Sequence, residues 1–184
     1  MSRLILAVVL GLMLVAASGA LADQTDKRLD PLFARLQKAG SEEEAHQIET
    51  MIWKIWTETA DHETEEILRQ GVLAMNADDE AQALAAFDVV VSRDRNFAEG
   101  WNKKATVEYL MGDYDASVTD IERTLALEPR HFGALSGLGQ IYLALENKRA
   151  ALKAFEAALA IDPHLDGMRE EVERLKKELK GDPI

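Results

Sequence analysis

Pro129 and Pro163 stand 34 residues apart, and so do Ala105 and Gly139, Leu125 and Leu159, and Leu127 and Ile161. The stretch AEGWNKKATVEYLMGDYDASVTDIERTLALEPRH is followed at once by FGALSGLGQIYLALENKRAALKAFEAALAIDPHL, a second writing of the same pattern. Counting back another 34 residues gives a weaker unit over 64–97, with Ile67, Gly71, Ala83 and Phe87 in register and Arg95 where the proline would stand. A fixed period of this length means an array of helical units, none of which buries its apolar face alone. The expected fold is all-α, built of antiparallel helix hairpins over 64–165.

The flanks read as further helices. Asp30-Pro31 is expected to open a helix, with Asp as cap and Pro in the first turn, and Gly40 to end it. Ser41 and Glu44 have the spacing of a capping box. Ile48, Met51, Ile52, Ile55 and Trp56 then line one face, and Trp53 lies well round from them, as core or as an exposed contact. Residues 30–63 thus read as a degenerate leading helix pair. Residues 166–184 read as a capping helix and tail, its narrow stripe made by Met168, Val172, Leu175 and Leu179. Repeat arrays need such a polar-backed end.

The period and its residues resemble the tetratricopeptide repeat. Residues 132–165 carry that pattern in Leu135, Leu138, Gly139, Tyr142, Ala151, Phe155, Ala158 and Pro163. Residues 98–131 carry Trp101, Ala105, a Gly112-Asp113-Tyr114 turn and Pro129. They depart from it at Lys104, Glu108, Ser117 and Ile121. The last unit is expected to turn at Asn147-Lys148. The resemblance implies a right-handed α-solenoid of three units, 64–97, 98–131 and 132–165. It implies packing roles for Gly71, Phe87, Trp101, Ala105, Pro129, Gly139, Tyr142, Phe155 and Pro163. Small residues let paired helices approach, aromatics fill the space between, and Pro ends the second helix because it disfavours helical geometry in the residue before it.

The first helix of each unit in this family lines a concave groove for peptides or helices. The matching positions here are Leu68, Val72 and Met75 in the first unit, Asn102, Lys103, Thr106, Tyr109 and Leu110 in the second, and Ser136, Gln140 and Leu143 in the third. Tyr109, Asn102, Leu143 and Gln140 are expected at the contact centre. Gly133 and Gly137 leave room above the third unit. The Lys and Asn set with which chaperone-tail members grip a terminal carboxylate is replaced here by Leu68, Val72, Lys103, Gly133 and Gly137, so that clamp is not expected.

Residues 1–22 are a separate segment. Arg3 precedes an apolar run from Leu4 to Ala17, and Ala20-Leu21-Ala22 supplies small residues for cleavage. This pattern predicts an export signal cut after Ala22, a loose leader over 23–29 and a periplasmic location, with an uncleaved membrane tether as the alternative. The run is short for a bilayer span of roughly 20 residues. Removing it takes the net charge from −12 to about −13, since Arg3 is its one charged side chain. Nucleic acid, which needs a basic footprint, is not an expected partner. Neither is an anionic membrane surface, and the charge suits a basic protein or peptide.

The chain has no cysteine. No glycine-rich phosphate loop, nucleophile elbow or His-Glu-x-x-His is written in it. His131 and His164 sit at equivalent corners without close acidic ligands at metal spacing. No catalytic set, metal or cofactor is expected. The resulting expectation is a protein–protein adaptor of the bacterial envelope, resembling small periplasmic members of the family, with a self-associating or tethered structural component as the alternative.

Overall fold

The period shows first in the turns. A computed structural model describes residues 25–59 and 61–181, and the export signal expected over 1–22 lies outside them. Asp78, Gly112 and Glu146 take positive φ angles of 56°, 79° and 57°, one period apart. The amides that follow them bond back to Ala74, Glu108 and Tyr142 at 3.0, 2.9 and 2.8 Å. This is the left-handed close of a helix. The next side chains, Asp79, Asp113 and Asn147, each cap the following helix by accepting from Gln82, Ala116 and Ala150. The last turn is therefore Glu146-Asn147, one residue earlier than the sequence suggested, because the capping side chain must follow the left-handed residue.

These turns join three hairpins. They are α3 (His62–Asn76) with α4 (Glu80–Arg93), α5 (Ala98–Leu110) with α6 (Tyr114–Leu127), and α7 (Phe132–Ala144) with α8 (Lys148–Ile161). Consecutive hairpins stack α4 on α5 and α6 on α7, and α9 (Met168–Gly181) packs on α8. The fold is all-α among the described residues.

Small residues set the spacing within hairpins. A Cβ at Gly71 would stand 2.6 Å from the Phe87 ring, and one at Gly139 would strike Phe155. Both rings are fully buried and have no room to move. Ser117 takes the place of an alanine and donates its hydroxyl to the Ala105 carbonyl at 2.7 Å, so the substitution stays satisfied. Pro129 and Pro163 follow the last residues of α6 and α8 by two. Trp101 is only half buried and donates its indole N–H to the Arg95 carbonyl. Tyr142 is likewise half buried, against the Phe155 and Leu175 cluster.

The departures at Lys104 and Glu108 form a polar seam between α5 and α6. Lys104 Nζ lies 2.9 Å from Asp120, 3.2 Å from Glu108 and 3.4 Å from Asp88. Burial first, then the Asp120 charge, pushes Glu108 up to about 7.

The N-terminal pair departs from its expected place. α1 (Leu29–Leu36) begins before Asp30, with Arg28 and not Asp30 at its cap, and α2 (Glu42–Thr57) begins at a Ser41 cap that accepts from Glu44. The two share a core of Leu29, Leu32, Phe33 and Leu36 against Ile48, Ile52, Ile55 and Trp56. A leading repeat would lay α2 along α3. Instead α2 packs on α5, and its core continues into Phe132, Ile161 and Leu165. The wide apolar arc of α2 is the reason. One edge is covered by α1, and the other, carrying Trp53 and Trp56, turns back over the first helices of the repeats.

Candidate binding groove

α3, α5 and α7 line one face of the array, and the α1–α2 hairpin lies across one end of it. Trp53 sits over Gly133, where an added Cβ would stand 2.6 Å from the indole ring. The same ring meets Phe132 edge-on at 5.5 Å and His131 at 5.4 Å. Lys103 Nζ lies 5.6 Å from its centroid, a favourable placement of a cation on an aromatic face. Trp56 stacks flat on His131, with ring centres 4.1 Å apart and 8° between planes.

Beneath the tryptophans is a buried polar floor. His131 Nδ1 accepts the Ala134 N–H at 3.1 Å and so caps α7. That bond leaves Nε2 to carry the proton, which it donates to Glu99 Oε2 at 3.0 Å. Asn102 donates to the same oxygen at 2.9 Å. Burial disfavours the Glu99 charge, but the His131 bond and the nearby Lys103 charge outweigh it and hold the carboxyl below its usual range. Lys103 Nζ is 3.1 Å from Glu99 Oε1, an ion pair at an angle that makes no hydrogen bond.

Polar contacts fasten the rim. Arg130 pairs with Glu128 and with Asp30 of α1 at 2.7 Å, and its guanidinium lies 4.4 Å from the Phe33 ring centre. Gln37 donates to the carbonyls of Ala160, at 2.8 Å, and Ile161, capping the end of α8 from a distant part of the chain.

Beyond the hairpin the groove stays open. A cavity of about 220 Å³ is bordered by Asn102, Thr106, Tyr109, Gly137 and Gln140. A second of about 390 Å³ runs from Gln140 and Leu143 to Met168 and Glu171 of α9. Asn102, Thr106, Tyr109 and Gln140 thus border the first cavity and Gln140 and Leu143 the second, with Gln140 common to both. Ser136 is half buried, bonded to the Phe132 carbonyl and 4.0 Å from Met168 sulfur. Leu110 is exposed.

Several expected contact residues are already engaged. Leu68 is buried among Phe87, Val90, Phe97 and Val107, with Val72 and Met75 packed on that cluster, so the first unit offers core where groove was expected. Asn102 and Lys103 are committed to Glu99 and Trp53. Sequence reasoning missed Trp53, Trp56, His131, Arg130 and Gln37 as parts of this site, and the groove position of Glu99 proves to be a buried one. Gly133 was the available signal. The space it leaves is filled by a residue some 80 positions earlier in the same chain.

A tetratricopeptide-repeat family model matches residues 102–166. A TPR repeat-containing protein of Rhizobium etli is 34% identical over 155 residues, which is 84% of this chain and 76% of that protein. Among solved structures, the first TPR of Spaghetti (RPAP3) bound to the HSP90 peptide SRMEEVD aligns at a TM-score of 0.60 and 16% identity, over 64% of this chain and 93% of that one. MamA aligns at 0.60 and 17%, over 80% of this chain and 84% of its own. With its three stacked hairpins and a bacterial relative 34% identical over 84% of its length, the chain belongs to the tetratricopeptide-repeat family.

Proposed function

We propose that this protein is a protein–protein adaptor that holds a peptide or helix of its partner in the groove between α5, α7 and α9. The observation that carries this reading is that the groove already holds a helix: α2 seats Trp53 on Gly133 and Trp56 on His131. A surface that accepts an amphipathic helix by pockets and a polar rim follows a general mode of segment recognition. The HSP90 peptide held by the Spaghetti repeat supports the same use of a similar fold.

The partner is a protein or peptide of the bacterial cell envelope. Export through residues 1–22 is supported by Arg3, the apolar run from Leu4 to Ala17 and the small residues at 20–22. The net charge of −12 supports a basic partner by long-range attraction. The work is binding, with no bond chemistry assigned to the chain.

The experiment is chemical crosslinking in intact cells, followed by mass spectrometry of the species captured by the native chain and by Tyr109→Ala, Gln140→Ala and Leu143→Ala variants. One protein captured by the native chain and lost, tenfold or more, from the variants supports the groove. Capture that all three variants leave unchanged removes it. Sequencing of the mature N-terminus, expected to begin at Asp23, tests export.

A further inference from the structure

Within the described residues, buried side-chain polar atoms without a hydrogen-bond partner concentrate in two places. Glu108 Oε2 and Asp120 Oδ2 belong to the Lys104 seam. Trp56 Nε1, Glu99 Oε1 and Asp162 Oδ2 all lie at the junction between the hairpin and the repeats. Native interiors leave few such atoms. At the junction Glu99 Oε1 keeps its ion pair with Lys103, so Trp56 Nε1 and the Asp162 contact are the groups that opening returns to water.

The Asp162 oxygen makes the point most sharply. Asp162 is fully buried at the end of α8, and the side chain facing it from α2 is the carboxyl of Glu49. Two acceptors meet there, and one proton must be shared for the contact to hold. His46 stands 3.8 Å from Glu49 on the same helix, and Asp166 and His164 face the pair from the corner after α8.

The hairpin is also separable by construction. Its core of leucines and isoleucines is largely its own. It is joined to the array through residues 58–61 and does not stack on α3. Apart from the tryptophan contacts and the apolar patch of Phe132, Ile161 and Leu165, its ties across the seam are polar ones of exposed groups, Arg130 to Asp30 and Gln37 to the end of α8.

We propose that the α1–α2 hairpin is a displaceable internal ligand of the groove, and that the partner segment replaces it by presenting two aromatic side chains one helical turn apart in the places of Trp53 and Trp56. The second half of this inference rests on the groove being a binding surface, and the first half does not. The open groove would offer an apolar step at Phe132, a slot above Gly133, and the His131 imidazole over Glu99. That combination selects flat aromatic rings over branched aliphatic side chains.

Amide hydrogen exchange on the full chain at neutral pH tests the opening. Amides of 42–57 are expected to exchange together, at least tenfold faster than those of α5 and α7. Trp53→Ala should speed them a further tenfold while α6 and α8 stay as they were. Glu49→Gln, which offers an amide N–H to the Asp162 carboxylate, should slow them. Equal exchange across α2, α5 and α7, with Trp53→Ala speeding all of them alike, would show one cooperative unit and overturn the proposal. The partner half is tested with a fluorescent synthetic peptide of residues 42–57. It should bind the Trp53→Ala chain at least tenfold tighter than the native chain, and lose that binding when both tryptophans of the peptide are alanine. Fast exchange of α2 without any peptide binding would keep the opening and overturn the claim about the partner.

Discussion

At the scale of residues, two glycines that look alike in the sequence do different things. Gly139 faces a ring locked in the core, so Gly139→Ala must overpack it, at about 1–3 kcal/mol. The expected reading is a clear fall in the thermal midpoint followed by far-UV circular dichroism. Gly133 faces the far end of a half-buried indole that can swing away. Gly133→Ala is expected to shift tryptophan fluorescence to the red as Trp53 is lifted, with little loss of helix. Glu146 holds a left-handed conformation, φ 57°, that L side chains resist. Glu146→Gly should therefore stabilise the chain by about 0.5–1 kcal/mol in denaturant unfolding. Glu49 carries the pH dependence of the hairpin. Burial, then the Asp162 charge, raises it from an ordinary 4.5 to about 7. The docked form therefore keeps a proton that a released α2 gives up between those values. Docking is strongest below about 4.5, weakens as pH rises toward 7, and is flat above. Hairpin exchange measured from pH 5 to 8 should steepen through that window in the native chain and lose the step in Glu49→Gln.

At the scale of elements, the repeats were legible because each helix end is fixed by a local rule that recurs. Asp113 after Gly112, and Pro129 and Pro163 after α6 and α8, mark boundaries whatever the rest of the chain does. Asp113→Ala removes the cap bond to Ala116 and should cost about 1 kcal/mol of stability by thermal or urea unfolding. The α1–α2 pair was legible as two helices and not as a placement. Its stripe of Ile48, Ile52 and Ile55 says that α2 is buried, and a helix pair preceding an array most simply stacks on it. What decides otherwise is a set of contacts between distant residues, Trp53 with Gly133 and Gln37 with Ala160, to which no local pattern points. Leu68 failed as a groove residue for a related reason. Its position in the repeat is shared with the polar Asn102 and Ser136 of the other units, but here an apolar side chain lets the Phe87 and Val107 core close over it.

At the scale of the molecule, the arrangement is an array whose α5–α7 side is partly occupied by the chain itself. The free part, from Thr106 and Tyr109 past Gln140 to α9, remains accessible, and the occupied part holds the aromatic slots. Among the described residues no helix is long and apolar enough to cross a membrane. A partner would touch the free part first and complete its binding by taking the place of α2. This makes binding and hairpin release one linked equilibrium, in which whatever loosens the hairpin raises the affinity for the partner. The most direct measurement is amide exchange across the whole chain with and without the protein recovered by crosslinking. The expected pattern is new protection in α5, α7 and the start of α9, together with loss of protection over residues 42–57. Protection confined to the outer faces of α4, α6 and α8, with α2 unchanged, would contradict the assignment of the groove as the working surface.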